Sequence, residues 1–321
     1  MEQKSIIGNT PMIKIYYSFK GTFRYIYTKL EYYNLTGSIK DRIAYYIINN
    51  AYKKGTLKKG MTIIEATSGN TGIALSAFGS YYNHPVTIFM PDWVSKERIE
   101  IMKGYGATVK LFSKEAGGFI KCVNEAKNLA LETNSFLANQ FANYDNFLAH
   151  YETTGKEIIN QLDEKVYGFV SGVGTGGTLM GVGKRLKKEY PDLKIIALEP
   201  DQMPIISKGI KYGEHKIEGI GDDFVPDLID KSAIDDYILI NDDDAINMSK
   251  KLSKELGLGV GISSGANFLA AVIQEQLLNK PIVTVFPDDN KKYLSTDLFK
   301  NDIKNNNFIS DQVSFEKYEI L

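Results

Sequence analysis

The sequence predicts an α/β fold of parallel sheets flanked by helices, and three observations carry that prediction. Short apolar runs of strand length alternate with longer stretches of helical periodicity, from an opening hairpin to the end of the chain. Two of the apolar runs pass through glycine-rich loops straight into helices, the connection that builds parallel sheets. Finally, 321 residues with 43% hydrophobic content are ample for a buried core in one large or two medium domains.

The elements follow in order. Residues 14–30 read as the hairpin. Strands are expected at 61–66, 86–90, 108–112, 135–139, 165–171, 194–198, 237–240 and 281–286. Helices are expected at 41–54, 71–82, 96–105, 119–132, from the second glycine loop to about Tyr190, and at 243–256 and 266–278. In the helix 71–82 the apolar positions Ile73, Ala77, Phe78 and Tyr81 keep helical spacing. In the helix 119–132 Cys122 shares a face with Phe119, Ala126 and Leu129, which makes it a core thiol rather than a nucleophile. Neither an internal repeat nor a low-complexity linker is visible.

Composition excludes several function classes. With 38 Lys and Arg against 39 Asp and Glu, the net charge of −1 argues against nucleic acid or an anionic membrane as partner. A single cysteine cannot close an internal disulfide, and Met1 to Ser5 lack an apolar signal core, so a cytoplasmic location is expected. His84, His150 and His215 are scattered without metal-ligand spacing, and no metal site is expected. No apolar run approaches the ~18 residues of a membrane span.

Two loops are suited to an anion. Thr67-Ser68-Gly69-Asn70 joins the strand 61–66 to the helix 71–82. Backbone N–H groups, the hydroxyls of Thr67, Ser68 and Thr71, and the positive end of the helix dipole converge there, which suits a carboxylate or phosphate. The same residues also read as an ordinary strand-to-helix turn with Asn70 as cap. The second loop is Gly172-Val173-Gly174-Thr175-Gly176-Gly177-Thr178. Its Gly172, Gly174 and Gly177 satisfy G-x-G-x-x-G, and Glu199, 22 residues after Gly177, stands where a dinucleotide fold keeps its ribose-binding acid. An NAD-dependent oxidoreductase is therefore one reading. The location in mid-chain rather than in a first βαβ unit counts against that reading, and the two threonines suit a compact phosphate monoester instead. Lys40, in Asn34-Leu35-Thr36-Gly37-Ser38-Ile39-Lys40-Asp41-Arg42, is either a solvated lysine behind a Ser38 cap or an amine for a Schiff base. A lysine with two anion sites suggests pyridoxal phosphate, one cradle holding the cofactor phosphate and the other a substrate carboxylate.

These residues, taken together, closely resemble the cysteine synthase (O-acetylserine sulfhydrylase) and cystathionine β-synthase family, pyridoxal-phosphate enzymes of fold type II with a tryptophan synthase β-like architecture. The match begins at Ile7-Gly8-Asn9-Thr10-Pro11 and takes in Ser38 to Arg42, Thr67 to Gly72 and Met90-Pro91. It goes on through Gln140-Phe141-Ala142-Asn143, Thr153-Thr154-Gly155, Gly174 to Thr178, Gly219-Ile220-Gly221, Gly261 to Ala266 and Tyr293 to Thr296.

The resemblance implies two domains, a small mobile one over residues 41–145 and a large cofactor-binding one from residues 1–40 and 146–321, with the site between them. It implies that Lys40 carries the cofactor and moves the α-proton, that Asn70 bonds the cofactor's 3-oxygen, and that Gly174, Thr175, Gly176, Gly177 and Thr178 bind its phosphate. Thr67, Ser68, Gly69, Asn70 and Thr71 with Gln140 would hold the substrate carboxylate, Gly219 would border the substrate, and Ser263 would face the pyridine nitrogen. Ser263 also reads as a cap for the helix expected from Ala266. A neutral hydroxyl does not hold the pyridine nitrogen protonated, so the electron sink is weaker and β-elimination with β-replacement is favoured over transamination. The resemblance further implies a homodimer, leaves open the docking of a serine acetyltransferase, and describes a bare catalytic core.

The chain departs from the family at Gly219-Ile220-Gly221-Asp222-Asp223-Phe224-Val225-Pro226. Cysteine synthases carry small residues after Gly-Ile-Gly, and cystathionine β-synthases carry tyrosine then aspartate. Asp223 fits the second pattern and Asp222 fits neither. Asp222 reads either as a solvated turn residue or as a carboxylate near the substrate's β-carbon. There, at about 4 Å and an effective dielectric of ~20, it would repel bisulfide by roughly 4 kcal/mol and leave water unaffected. It would also give a proton to a departing thiolate and then act as base on water. The leading expectation is elimination of hydrogen sulfide from L-cysteine with water addition to give L-serine, through an aminoacrylate. The alternatives are cysteine synthesis from O-acetylserine and sulfide, and cystathionine or lanthionine formation.

Overall fold

The computed structural model describes residues 6–211, 213–300 and 307–321. Met1 to Ser5, on which the expected lack of a signal core rests, lie outside the described residues.

The hairpin consists of β1 (Met12–Phe19) and β2 (Thr22–Leu30), antiparallel, with Met12 opposite Lys29 and Phe19 opposite Thr22. Ile13, Ile15, Tyr17 and Phe19 are buried while Lys14, Tyr16 and Ser18 are not, the two-residue period of a strand with one face on a core. Then come α1 (Lys40–Lys54), β3 (Ile63–Ala66), α2 (Asn70–Tyr82), β4 (Val86–Pro91), α3 (Lys96–Gly104), β5 (Thr108–Phe112), α4 (Gly118–Glu132) and β6 (Phe136–Leu137). Next, α5 (Tyr144–Ala149) runs through a π-helical turn, His150–Thr154, into α6 (Gly155–Gln161). The rest of the chain holds β7 (Gly168–Gly172), α7 (Gly177–Glu189), β8 (Lys194–Pro200), α8 (Ile205–Lys208), β9 (Asp236–Ile240), α9 (Asp242–Leu256), α10 (Ile262–Leu278), β10 (Ile282–Phe286) and β11 (Val313–Ile320).

Two sheets result. The smaller has the order β5-β4-β3-β6 and is parallel throughout. The larger has the order β11-β1-β2-β10-β7-β8-β9 and is parallel from β2 to β9, but β1 is antiparallel to both β2 and β11. Both faces of each sheet are covered. In the larger sheet Val170, Ile196 and Leu198 pack toward α9 and α10, while Phe169, Ile195 and Ala197 pack toward α7. In the smaller, Ile63 and Ile88 face α1 and α2, and Ile64 and Phe89 face α4. Burial on both sides is why β3 and β10 lack an apolar–polar alternation: every position is buried, with Glu65 and Thr284 as their buried polar residues.

The structure corrects the expected elements at three places. β11, an edge strand, was not anticipated because Glu316, Lys317 and Glu319 break its apolar alternation. The expected strand 135–139 shrinks to β6, since Asn139 adopts a positive φ of 54° and turns the chain away. α10 begins at Ile262 with Gly261 as N-cap, so Ser263 lies in its first turn and is not a cap for a helix from Ala266. No described helix is long and apolar enough to cross a membrane.

Candidate functional site

The larger sheet, the smaller sheet and the helices that follow their strands open onto one cavity. It lies at the carboxyl ends of the parallel strands, where α/β sheets place ligands. The starts of α1, α2, α7 and α10 all reach its wall, through Lys40, Asn70, Thr178 and Ser263. Of the residues expected at the site, Lys40, Thr67, Ser68, Gly69, Asn70, Thr71, Gln140, Gly174, Thr175, Gly176, Thr178, Gly219, Asp222 and Ser263 line it. Gly177 does not. It sits behind the wall, where a Cβ would lie 1.9 Å from the Asn146 Oδ1.

Lys40 is fixed by its neighbours in sequence. Ile39 N donates to Pro287 O at 2.8 Å, and Ser38 bridges to Asp288 just past the end of β10. Asp41 accepts from Thr36 N at 2.8 Å and Thr36 Oγ1 at 2.6 Å, tying down the preceding loop. Arg42 is buried and pairs with Glu31 and Glu157, each at 2.6 Å. Removing one partner of such a buried pair costs about 3–5 kcal/mol, so Asp41 and Arg42 are structural and only Lys40 presents its side chain to the cavity. Burial pushes its amine down to about 8, against the pull of Asp222 and then Asp288, which favour the charged form.

The first cradle is the β3–α2 turn. Gly69 is the N-cap of α2 and no side chain caps it, so the first-turn N–H groups lack intrahelical acceptors. Asn70 is therefore not the cap. Its Nδ2 donates to Asp288 Oδ2 at 2.7 Å, and its Oδ1 is buried without a partner. Gln140 joins the turn by accepting from Thr71 Oγ1 at 2.5 Å and donating to Ala66 O at 3.0 Å. Its backbone is held in turn by Glu65, a fully buried carboxyl that burial raises to about 7.

The second cradle is more rigid. Gly176, the N-cap of α7, has φ +83°, and a Cβ there would lie 2.7 Å from Ile229 Cδ1. A Cβ on Gly174 would lie 2.4 Å from Gly219 O. Both positions require glycine on backbone grounds. Asn146 Nδ2 supports Thr175 Oγ1 at 2.9 Å from behind. Thr178 Oγ1 meets Nε2 of His150 at 3.2 Å, and burial keeps that imidazole well below its ordinary pKa, hence neutral. Two rows of helix N–H groups and hydroxyls thus face one lysine, and either cradle is built for an anion.

The loop carrying Asp222 closes the cavity on a third side. Gly221 N donates to Val173 O at 2.9 Å, and Gly221 O contacts His215 Nε2 at 2.7 Å. Asp222 lines the cavity with Lys40 and is not a solvated turn residue, whereas Asp223 is absent from the wall. Burial raises the Asp222 carboxyl to about 7, helped by the Asp223 charge and opposed by Lys40.

Three residues at the site were not singled out by the sequence. Arg98 of α3 ion-pairs with Glu218 and lies 3.9 Å from Asp288, with its guanidinium 4.6 Å over the Tyr293 ring. For Asp288, just past the end of β10, position at a strand's carboxyl end was the available signal; for Glu218 the signal was its place beside Gly219, and Arg98 offered none. Elsewhere, Glu199 accepts from Ile206 N at 2.6 Å and Ser207 N at 2.9 Å, which occupies the acid a dinucleotide would need. Cys122 is buried, its thiol pushed up to about 12, as expected of a core residue. No group of three or more metal-ligating residues exists among the described residues.

A family model described as pyridoxal-phosphate dependent enzyme matches residues 4–288. The chain is similar to a cysteine synthase of Staphylococcus aureus, 42% identical over 302 residues that cover 92% of this chain and 96% of that protein. It is also similar to the crystal structure of a hydrogen sulfide-producing enzyme from Fusobacterium nucleatum, at 47% identity and a TM-score of 0.95, covering 98% of this chain and 96% of that one. A mutant hydrogen sulfide-producing enzyme complexed with an α-aminoacrylate intermediate superposes with a TM-score of 0.96 at 47% identity, over 98% of this chain and 97% of that one.

Proposed function

The chain belongs to the pyridoxal-phosphate dependent enzyme family, and on that premise we propose that it cleaves the C–S bond of L-cysteine, releases hydrogen sulfide and adds water to give L-serine. The cofactor is pyridoxal phosphate, and the residues present fit it. Lys40 would supply an amine lowered to about 8 for the aldehyde, the Gly174–Thr178 loop, whose glycines leave no room for a Cβ, a seat of N–H groups and hydroxyls for the phosphate, and Asn70 a contact for the 3-oxygen. When bound, the cofactor supplies an electron sink for the broken Cα–H bond.

The chain's own groups do the rest. Thr67 to Thr71 and Gln140 hold the substrate carboxylate at the start of α2, in the cavity that Asp222 also lines. Lys40 takes the α-proton and returns it at the end. Asp222, poised near pH 7, gives its proton to the departing thiolate and takes one from the attacking water. One C–S bond breaks and one C–O bond forms, so cysteine and water balance serine and hydrogen sulfide. Ser263, neutral and in the first turn of α10, would face the pyridine nitrogen and leave the sink weak, which would favour loss of the β-substituent.

The observation that carries this reading is Asp222 in the same cavity as Lys40. The similarity to a hydrogen sulfide-producing enzyme supports it. The similarity to a cysteine synthase favours the alternative, cysteine from O-acetylserine and sulfide, with Asp222 a bystander. Asp222→Asn decides between them. Serine formation from cysteine should fall by the ~10²- to 10⁴-fold of a lost acid or base, while replacement on O-acetylserine by sulfide is kept or improved. Equal small changes in both rates would establish the cysteine synthase reading. We further propose that residues 41–145 move as a small domain over the rest, that the enzyme is a cytoplasmic homodimer, and that a serine acetyltransferase tail is a candidate partner.

A further inference from the structure

The loop that carries Asp222 is divided between the two halves of the molecule. Ile220 packs into the core between the larger sheet and α10, and Val225 and Ile229 pack onto the opposite face of that sheet. Phe224 alone turns the other way and packs against the core cluster of the smaller sheet with Phe119 and Cys122 of α4. Its ring is stacked on Phe119 at a centroid distance of 6.3 Å and 11°, and meets Phe141 edge-on at 4.9 Å and 69°. Phe119 and Phe141 themselves meet at 5.7 Å and 72°. Phe141 is the neighbour of Gln140, which holds the first cradle. Phe141 and Phe224 border a largely apolar pocket of about 270 Å³ with Val123, Ala126 and Leu137, so one side of the Phe224 ring is open and its hold comes from the two phenylalanines.

Asp222 thus hangs between two anchors. Gly221 is tied to Val173 beside the second cradle, and two residues after Asp222 the Phe224 ring is held by the smaller sheet's half. From this geometry we infer that Phe224 is a positioning residue for Asp222, bringing the carboxyl over the substrate's β-carbon only when the smaller half, with Gln140, is seated against the larger. The inference rests on the reading of Asp222 as the group that activates water. Seating of the substrate carboxylate through Gln140 and placement of Asp222 through Phe141 and Phe224 then become one event. Water addition is confined to the closed, loaded site.

The test uses the pyridoxal-phosphate-loaded enzyme and a double-mutant cycle of Phe224→Ala with Asp222→Asn. Phe224→Ala should lower the ratio of serine formation to O-acetylserine replacement by about 10²-fold, the size of effect that a misplacement near 1 Å produces. In the Asp222→Asn background the same change should have no further effect on that ratio, because coupled residues are not additive. The apparent pKa of serine formation should fall toward the ordinary carboxylate range relative to that of the parent enzyme as the freed Asp222 hydrates. Phe119→Ala, outside the active-site cavity, should reproduce these effects, and Phe224→Leu, which keeps an apolar anchor, should restore part of the ratio. Amide exchange over residues 219–226 should quicken in Phe224→Ala while residues 174–178 keep their protection. Additive losses, or an unchanged pKa with an unchanged ratio, overturn the inference. A lack of effect of Asp222→Asn itself would instead overturn the function on which it rests, so the two failures are distinguishable.

Discussion

The two anion cradles follow the same plan, strand then turn then helix, yet they are held in different ways. The β7–α7 turn is held chiefly by its glycines: a Cβ on Gly174 would run into Gly219 O, Gly176 sits at positive φ, and a Cβ on Gly177 would run into the Asn146 side chain, which also supports Thr175. The β3–α2 turn is fixed by side chains: Thr71 on Gln140, Asn70 on Asp288, and Arg98 alongside. A seat made of backbone suits a group that stays bound through every turnover. A seat made of side chains from several elements suits one that enters and leaves.

Several experiments break or sharpen that contrast. The largest effect should come from Lys40, which serves both seats. Lys40→Ala should abolish turnover, and borohydride reduction of the wild type followed by mass spectrometry should find the cofactor on Lys40. Gly176→Leu comes next and should purify largely without cofactor, as read by visible absorbance. A side chain there meets Ile229 and must adopt a left-handed conformation that costs roughly 1–2 kcal/mol. Full occupancy in that variant would show the backbone seat to be dispensable. On the other seat, Thr71→Val should keep the cofactor and raise KM for cysteine by about 10-fold, the effect of one lost hydrogen bond. Cofactor loss in Thr71→Val would erase the distinction between the cradles.

The smallest effects are those of pH. Asp222 has its carboxyl raised to about 7, so serine formation should be optimal near that pH, where one group can serve as acid and then as base. The stability sign follows from the same shift. A folded-state pKa above the unfolded value of about 3.9 means the native state binds more protons between those pH values, so stability is lost as pH rises toward 7. In the cofactor-free protein, Asp222→Asn should therefore raise Tm at pH 8 relative to pH 5 by about 1–3 °C, and calorimetry checks it.

Much of this was legible in the sequence, because local chemistry decides it. The alternation of apolar runs dictates parallel strands and covering helices. The glycines of the second cradle are required by their own φ and by a close approach, and Lys40 stands out once two anion turns flank it. Other features depend on residues far apart in the chain. Ser263 reads as a cap until α10 is seen to start at Ile262. Glu199 reads as a ribose ligand until it is found bonding the start of α8. That Asp222 lines a cavity with Lys40, 182 positions away, and that Phe224 joins the core of the smaller sheet, emerge only from the tertiary structure. Sequence specifies what each turn can bind. Packing alone determines what faces it, because desolvation and charge coupling fall off over a few ångströms and take no account of chain separation.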